Sequence, residues 1–273
     1  MRFLFYPNPL YPLAGETADA LKAYLTREGH TCLDRADGAE ADIMVVIGGD
    51  GTVLRAVREN AAHIPIWAVN AGHVGYLTDC GVSEAMERLP VILQGLSHVE
   101  ERLMLGGIYT GAERKERFFA LNECCIHRTE NLHGVHLSLA VDGKHILSFR
   151  GDGILVSTAT GSTAYNLSAG GPILLPEANE LVITPICPQY TVCMPLVVTG
   201  ESRICIRAEQ DRPSGEAPYA KLVIDGITSL TLSPGDRIDV TRAPWRMKFV
   251  RTVEDDFYQK LQYRLRQSDS ALQ

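Results

Sequence analysis

The first hundred residues alternate between continuous apolar runs and segments with helical spacing. Residues 43–47 and 64–69 carry almost no polar side chains, which is typical of strands buried on both faces of a parallel sheet. Residues 16–28 and 53–58 show the spacing of helices with one apolar face. Because strands that alternate with helices build parallel sheets, we predict a Rossmann-like α/β domain over residues 1–98.

Shorter predicted elements complete this half of the chain. Strands are expected at residues 2–6 and 31–33. A helix is expected over residues 83–89, with Ser83 as its N-cap because a serine hydroxyl can accept a free backbone N–H. Residues 7–13 are rich in proline, so no regular helix is expected there.

The second half of the chain shows short strand-like runs separated by turn signals. Residues 117–127 read as one strand, and Asp142-Gly143 between two runs predicts a hairpin. Helical spacing returns at residues 253–266. We therefore predict a β-sandwich-like domain over residues 99–250, followed by a C-terminal helix and a polar end within residues 251–273.

The first long apolar run ends in a glycine-rich turn, Gly48-Gly49-Asp50-Gly51-Thr52. Glycines let the backbone come close to a ligand, and the N–H groups at the start of the following helix suit a phosphate. A carboxylate repels phosphate, so we expect Asp50 to take a proton from an attacking hydroxyl instead. The alternative is an ordinary turn in which Asp50 only caps the helix.

A second glycine-bearing turn, residues 70–79, follows the next predicted strand. In parallel sheets, ligands bind beyond the carboxyl ends of the strands. Both glycine turns are predicted to lie at such ends.

Composition and charge narrow the function. The 273 residues carry a net charge of −7, which argues against a general nucleic-acid binder. No apolar run is long enough to span a bilayer, and no signal peptide is recognisable. Seven cysteines without a C-x-x-C pair are typical of reduced thiols, so a cytoplasmic protein that binds neither nucleic acid nor membrane is expected.

A second unusual segment, residues 152–165, is crowded with small hydroxyl residues and ends in Tyr165. Hydroxyls and exposed backbone suit a polar ligand held by many short hydrogen bonds, and an adenine could stack on the tyrosine ring. The alternative is a Ser/Thr-rich turn without a binding function.

Four motifs in this order resemble those of NAD kinases, and the similarity extends over nearly the whole chain. They are Gly48-Gly49-Asp50-Gly51-Thr52, then Asn70-x-Gly72-x-x-Gly75, then Asn122-Glu123, then Gly161-Ser162-Thr163-Ala164-Tyr165. The resemblance implies an N-terminal α/β domain, a C-terminal β-rich domain, a tail that packs back on the first domain, and a homodimer or homotetramer. It also implies phosphoryl transfer to the 2′-hydroxyl of the adenosine ribose of NAD, with ATP or polyphosphate as donor.

Site residues are carried over from this resemblance and from the chemistry of the side chains. Asp50 is expected to be the general base, and Mg²⁺ or another divalent cation is expected to arrive with the donor, without dedicated protein ligands. The expected nucleotide-binding residues are Gly49, Gly51, Thr52 and Arg55 for phosphates, Asn122 and Glu123 for the ribose hydroxyls or adenine edge, and Thr163, Ala164 and Tyr165 for the adenosine. The resemblance implies that Asp152 contacts the nicotinamide side, in the same or in a neighbouring subunit, and Arg150, Asn166 and Ser168 are further expected nucleotide-binding residues.

Several of these residues also have structural interpretations. Glu123 could be a buried structural acid, and Arg150 with Asp152 could form a local ion pair at a turn. Ala159 stands where the family commonly has proline, and Asp225-Gly226-Ile227 lacks the glutamine that often follows Asp-Gly in the family.

Other functions and sites were weighed. His127, His133, His136 and His145 are close in sequence, but side chains on alternating strand faces need not converge, so no metal site is predicted there. A lipid kinase of the diacylglycerol kinase type would share the first glycine turn, although no basic amphipathic helix or lipid anchor is recognisable. A non-catalytic NAD- or nucleotide-sensing module would need the turns but not Asp50.

Overall fold

The chain forms two compact units, the first made of residues 1–101 and 247–273 and the second of residues 102–246. The computed structural model describes residues 1–33, 40–60, 63–72, 75–129, 134–189, 193–209, 220–253 and 257–270. His73 and Val74 of the second glycine turn, and His133, lie outside the described residues.

The first unit contains a parallel sheet with the strand order β2-β1-β3-β4. Its strands are β1 (Arg2–Pro7), β2 (Thr31–Leu33), β3 (Ile43–Gly48) and β4 (Ile66–Asn70), and the short β5 (Cys80–Gly81) pairs with β4. The chain leaves β1 toward β2 on one side and returns to β3 on the other. This reversal creates a switch point between β1 and β3, where ligands of such sheets bind.

Three helices of the first unit precede the β-rich half of the chain. They are α1 (Pro12–Arg27), α2 (Asp50–Glu59) and α3 (Ala85–Leu93). Their apolar faces pack with the sheet into one core that includes Leu21, Leu89, Val45 and Trp67. The buried strands and amphipathic helices confirm the predicted N-terminal α/β fold.

All three helices predicted in this half begin at another residue than expected. Helix α2 begins at Asp50, inside the glycine-rich turn, and not at Val53. Helix α1 begins at Pro12 inside the proline-rich segment, because a proline at the first helical position needs no N–H partner. Helix α3 begins at Ala85 and runs through Pro90, and Ser83 is not its cap. The residue before α3 is Glu84, whose carboxylate accepts the Gly81 N–H at 3.0 Å and so closes the turn that precedes the helix.

The second unit is built almost entirely from antiparallel strands, and the first and last of them belong in part to the first unit. The strands are β6 (His98–Thr110), β7 (Lys115–Ala120), β8 (Glu123–Arg128), β9 (Val135–Val141), β10 (Lys144–Gly151), β11 (Gly153–Ser157), β12 (Glu180–Ile186), β13 (Leu196–Thr199), β14 (Ile204–Ala208), β15 (Ala220–Ile224), β16 (Thr228–Leu232) and β17 (Arg237–Arg251). A 3₁₀ helix (Thr160–Thr163) and α4 (Tyr165–Ser168) lie between β11 and β12.

Two sets of strands in this unit enclose one apolar core. One sheet has the order β13-β12-β11-β8-β15-β16, and the other set runs β10-β9-β14-β17. Ile126, Val156 and Leu222 from the first set and Leu137 and Ile206 from the second belong to the same buried cluster. This arrangement confirms the predicted β-sandwich-like fold.

Turn chemistry was predicted well in one place and missed in another. Asp142 and Gly143 have φ values of 51° and 76°, as a tight hairpin turn between β9 and β10 requires. The single strand predicted over residues 117–127 was wrong, because the chain breaks at Leu121 and Asn122 into β7 and β8.

The C-terminal segment returns to the first unit, as predicted. Phe249 of β17 pairs in parallel with Ile66 of β4, and helix α5 (Phe257–Ser270) follows. The Phe257 ring lies 6.1 Å from that of Tyr76. The predicted bounds, residues 253–266, were wrong by four residues at the C-terminal end. Among the helices described, none combines the length and the apolar character that crossing a membrane would require.

Candidate functional site

The first glycine turn is held to the end of β1 by a buried side chain. Thr52 is 2% exposed, and its Oγ1 accepts a hydrogen bond from Asn8 Nδ2 at 2.8 Å. A Cβ on Gly48 would lie only 2.4 Å from Thr52 Oγ1, so a glycine is required where β3 meets the helix. The threonine hydroxyl therefore fixes the turn from inside the protein, and its expected role in binding phosphate stays a prediction.

The Asp50 carboxylate connects the two glycine turns. Its Oδ2 accepts the Tyr76 N–H at 2.9 Å and its Oδ1 accepts the Leu77 N–H at 3.1 Å. Asp50 is the first residue of α2, and the cap residue before it makes no side-chain cap hydrogen bond. The carboxylate thus binds amides of a different loop, which is not the helix-capping arrangement.

The space that the Asp50 carboxylate occupies exists because residue 75 is glycine. A Cβ on Gly75 would lie 2.1 Å from Asp50 Oδ1, closer than any real side-chain carbon approaches an oxygen. The glycine of the second turn therefore admits the carboxylate, which explains on physical grounds why the two motifs occur together.

The start of helix α2 is open. A Cβ added to Gly49 or Gly51 would meet no atom within 4 Å. Beside the turn lies a cavity of about 210 Å³ at the β1–β3 switch point, lined by Tyr6, Pro7, Asn8, Pro9, Leu10, Thr52 and Arg55. The Arg55 side chain is exposed, so a cation stands at the edge of this cavity. The amide groups, the cation and the open space suit an anionic ligand.

Asp225 holds the turn that carries the Asn122-Glu123 motif. Its carboxylate accepts the backbone N–H groups of Leu121 at 2.8 Å, Asn122 at 2.8 Å and Glu123 at 3.1 Å. Asp225 itself has a φ of 48°, in the left-handed region. These three N–H groups are thereby taken out of the strand ladder, which is why the chain breaks between β7 and β8.

Two buried oxygens on this turn lack hydrogen-bond partners among the described residues. They are Asn122 Oδ1 and Glu123 Oε2. Glu123 is 8% exposed, and burial raises the pKa of its carboxyl to about 8, with a smaller contribution from the negative charge of Asp225. At neutral pH the carboxyl is therefore mostly protonated. Buried polar atoms without partners are uncommon in proteins and mark a place where a ligand can supply the missing bond.

The hydroxyl-rich segment is rigid because its hydroxyls bind the protein's own backbone. Thr158 Oγ1 donates to the Leu121 carbonyl at 2.6 Å, and Ser162 Oγ donates to the Ala159 carbonyl at 2.7 Å. A Cβ on Gly161 would lie 2.2 Å from the Asn122 carbonyl oxygen, so this glycine lets the segment pack on the Asn122 turn. These contacts fix the segment although residue 159 is alanine and not the proline that the resemblance led us to expect.

Asn166 is engaged within the protein. It is fully buried, its Nδ2 donates to the carbonyls of Ser162 and Pro172, and its Oδ1 accepts from Thr184 Oγ1 at 2.7 Å. The contacts support a structural role. Ser168, by contrast, is exposed, and Thr163 and Ala164 are half-buried.

Tyr165 lies within the electrostatic reach of two acids of the same unit. The ring is 39% exposed, and its pKa is raised by burial first, and also by the charges of Asp152 and Glu123 among others. Asp152 forms an ion pair with Arg128, whose Nε lies 2.7 Å from Asp152 Oδ1, rather than the pair with Arg150 considered above. The Arg150 side chain is exposed.

The predicted residues thus form two groups, one in each unit. Asp50, Gly49, Gly51, Thr52 and Arg55 lie together in the first unit. In the second unit, Asn122 and Glu123 lie at one end of the β8–β11 pair and Asp152 lies at the other, and Tyr165 is within electrostatic range of both acids. No cluster of three His, Cys, Asp or Glu side chains suited to a metal occurs in the described part of the chain.

Three contributors were missed by sequence reasoning. Asp225 was noted only for the residue that follows Gly226, although Asp-Gly after a strand is a turn signal that could have singled it out. Gly75 was identified as part of a motif, but its role of leaving space for the Asp50 carboxylate was not predicted. Arg251, which contacts the second glycine turn, carries no sequence signal that could have identified it.

Comparisons with known proteins point to one enzyme family. The model of the ATP-NAD kinase N-terminal domain matches residues 16–97, and that of the ATP-NAD kinase C-terminal domain matches residues 121–252. An NAD kinase of Desulforamulus reducens is 34% identical over 240 residues, covering 86% of this chain and 81% of that protein. An NAD kinase of Moorella thermoacetica is 37% identical over 233 residues, covering 84% of this chain and 73% of that protein.

Solved structures show the same fold. The crystal structure of yeast NADH kinase complexed with NADH has a TM-score of 0.89 at 23% identity, and covers 97% of this chain and 87% of that one. An NAD kinase from Archaeoglobus fulgidus in complex with ATP has a TM-score of 0.79 at 24% identity. The match covers 96% of this chain and 99% of that one.

The two family models together match most of the chain, and both relatives exceed 30% identity over most of their length. The chain belongs to the NAD kinase family, an enzyme family of phosphotransferases.

Proposed function

We propose that this chain phosphorylates the 2′-hydroxyl of the adenosine ribose of NAD to give NADP, with ATP as a donor. The observation that carries the proposal is the pair of buried oxygens, Asn122 Oδ1 and Glu123 Oε2, that lack hydrogen-bond partners among the described residues, on the turn against which Gly161 packs. Ribose hydroxyls are donors that match such acceptors. The ATP and NADH complexes of the structural neighbours support both ligands.

Asp50 is proposed as the general base. Hydroxyls are poor nucleophiles at neutral pH, so a carboxylate that takes the hydroxyl proton lowers the barrier. Two backbone N–H groups fix both oxygens of Asp50, which leaves its remaining lone pairs in a defined direction. Such fixed orientation is what makes a base effective.

The donor phosphates are proposed to lie at the open start of α2. Gly49 and Gly51 leave room for the phosphates, and Arg55 supplies a positive charge at the edge of the adjacent cavity. Mg²⁺ or another divalent cation would neutralise phosphate charge, with most of its ligands being phosphate oxygens and water. Asp50 is the one acidic residue within the turn Gly48-Gly49-Asp50-Gly51-Thr52 and could add one ligand.

The adenosine is proposed to bind at the second group of residues. Asn122 and Glu123 accept the ribose hydroxyls, and the exposed part of the Tyr165 ring offers a stacking surface for the base. Thr163, Ala164 and Ser168 belong to the same segment as Tyr165 and are proposed to contact the adenosine as well. Asp152, oriented by Arg128, and the exposed Arg150 are proposed to contact the nicotinamide side.

Homodimers or homotetramers are proposed for the assembly. Strand β13 lies at the edge of the six-stranded sheet and pairs only with β12 among the described strands. Met194, Leu196 and Val197 on or beside it are exposed apolar residues, which supports contact with a second copy of the chain.

NADP formation tests the reaction directly. Purified protein incubated with NAD, ATP and MgCl₂ is expected to give a product that an NADP-specific dehydrogenase reduces. An NAD analogue lacking the adenosine 2′-hydroxyl is the matched control and should give no product. Polyphosphate in place of ATP tests the second donor. A lipid kinase would instead phosphorylate diacylglycerol, and a sensing module would bind NAD without turnover, so either result contradicts the proposal.

Proton release tests the role of Glu123. Because burial keeps its pKa at about 8, the free protein holds this proton at pH 7. Ribose hydroxyls that donate to the carboxyl favour its ionised form, so NAD binding should release about one proton at pH 7. Calorimetry of NAD binding in buffers of different ionisation enthalpy counts the proton. Glu123→Gln should show none, and an unchanged proton count in that variant contradicts the role.

A further inference from the structure

Arg251 is a buried cation at the end of β17, inside the first unit. It is 1% exposed, its Nε donates to Glu100 Oε2 at 2.6 Å, and its Nη1 donates to the Leu77 backbone carbonyl at 2.9 Å. Its Nη2 lacks a hydrogen-bond partner among the described residues. The guanidinium therefore balances one carboxylate and binds one peptide group.

Leu77 is also one of the two residues that hold Asp50. Its N–H donates to Asp50 Oδ1 at 3.1 Å, next to the bond from the Tyr76 N–H to Oδ2. The N–H and the carbonyl of Leu77 lie on either side of one Cα, and the side chain is 2% exposed. Arg251 therefore binds the carbonyl of Leu77, while Asp50 binds the N–H of the same residue.

The far end of this loop has its own support from the C-terminal segment. The Asp79 carboxylate accepts Trp67 Nε1 at 2.9 Å, the Thr252 N–H at 3.0 Å and Thr252 Oγ1 at 2.5 Å. Lys260 Nζ donates to the Thr78 carbonyl at 3.1 Å. The contact from Arg251 differs from these because it is made with Leu77, and Leu77 itself donates to Asp50.

Stability alone does not account for a charge at this place. The attraction within a buried ion pair often does not offset the free energy lost when both charges leave water. Apolar side chains of similar volume often stabilise a protein as well or better. What an apolar side chain would lose here is the hydrogen bond to the Leu77 carbonyl.

We propose that Arg251 is a positioning residue for phosphoryl transfer, which fixes Leu77 so that its N–H orients the Asp50 carboxylate. The inference rests on the proposed role of Asp50 as the base. Misplacement of a reacting group by about 1 Å can lower a rate by about 10²-fold, so a loosened carboxylate should affect kcat before it affects binding.

The principal variant is Glu100→Gln with Arg251→Met, which removes both charges of this ion pair together. We expect kcat to fall by about tenfold or more, with the KM values for NAD and ATP within about threefold of wild type. Glu100→Gln alone keeps the Leu77 contact and should retain kcat. Lys260→Met, which removes a contact with the neighbouring Thr78 carbonyl, is the matched control and should also retain kcat.

A double-mutant cycle with Asp50→Asn separates positioning from general damage. If Arg251 acts through Asp50, the paired substitution should lower the residual rate of Asp50→Asn by less than about threefold. Single-turnover assays with enzyme in excess keep that rate measurable. An equal loss in both backgrounds, or an undiminished kcat of the paired variant, overturns the inference. A wild-type rate in Asp50→Asn itself instead contradicts the proposed base.

Folding of each variant is checked by circular dichroism and thermal unfolding. Should the apolar pair not fold, Arg251→Lys keeps the charge beside Glu100 but loses the planar donor geometry that reaches two acceptors. It is expected to lower kcat severalfold with unchanged KM values, and an unchanged kcat in this variant also overturns the inference.

Discussion

Replacing Asp50 with Asn is expected to lower kcat by about 10²–10⁴-fold, the contribution typical of a positioned base. Asparagine has nearly the same shape but cannot accept the hydroxyl proton. Its amide nitrogen would also face one of the two N–H donors, Tyr76 or Leu77, so one hydrogen bond would be lost. We expect that loss to reduce the free energy of unfolding by about 1 kcal/mol, which is too little to explain the loss of rate.

Binding measurements distinguish a lost base from a lost site. The NAD affinity of Asp50→Asn, measured by calorimetry, should remain within a few-fold of wild type, because the groups proposed to bind the adenosine are unchanged. Asp19→Asn, on the exposed face of α1, is the matched control and should keep the wild-type rate. A kcat within about threefold of wild type in Asp50→Asn would show that another group accepts the proton.

Local sequence signals were sufficient where neighbouring residues alone decide the structure. The apolar run before Gly48 predicted β3, and the glycines after it predicted the turn into α2. The Asp142-Gly143 hairpin was likewise predicted, since aspartate and glycine are residue types that adopt the positive φ values of such a turn. Fold class followed from the same signals, because alternating elements and short strands restrict the possible sheets.

Prediction failed where a distant residue decides the structure. The strand over residues 117–127 is interrupted because Asp225, about a hundred positions away, takes three of its N–H groups. Arg251 reaches Leu77 in the same way, across 174 positions. No periodicity within either segment reports such a contact. The motifs of the candidate site could therefore be located from the sequence, whereas the groups that hold those motifs could not.

Glu123→Gln is expected to change how stability depends on pH. In the unfolded chain the carboxyl ionises near 4.5, whereas in the folded chain burial holds its pKa at about 8. Between these values the unfolded state has lost a proton that the folded state keeps, so the free energy of unfolding falls as pH rises. Below about pH 4.5 and above about pH 8 this residue contributes no slope. The total loss is about 5 kcal/mol.

Glutamine at position 123 cannot titrate, so the variant lacks this slope. The difference in free energy of unfolding, variant minus wild type, should therefore grow by roughly 4 kcal/mol between pH 5 and pH 8.5. Urea unfolding followed by circular dichroism at both pH values measures it, and all other titrating groups cancel in the difference. Glu16→Gln on exposed α1 is the matched control and should show a constant difference. Parallel pH profiles for Glu123→Gln and wild type would contradict this expectation. They would mean that Glu123 is already ionised in the folded protein, and that burial does not destabilise its charged form before NAD binds.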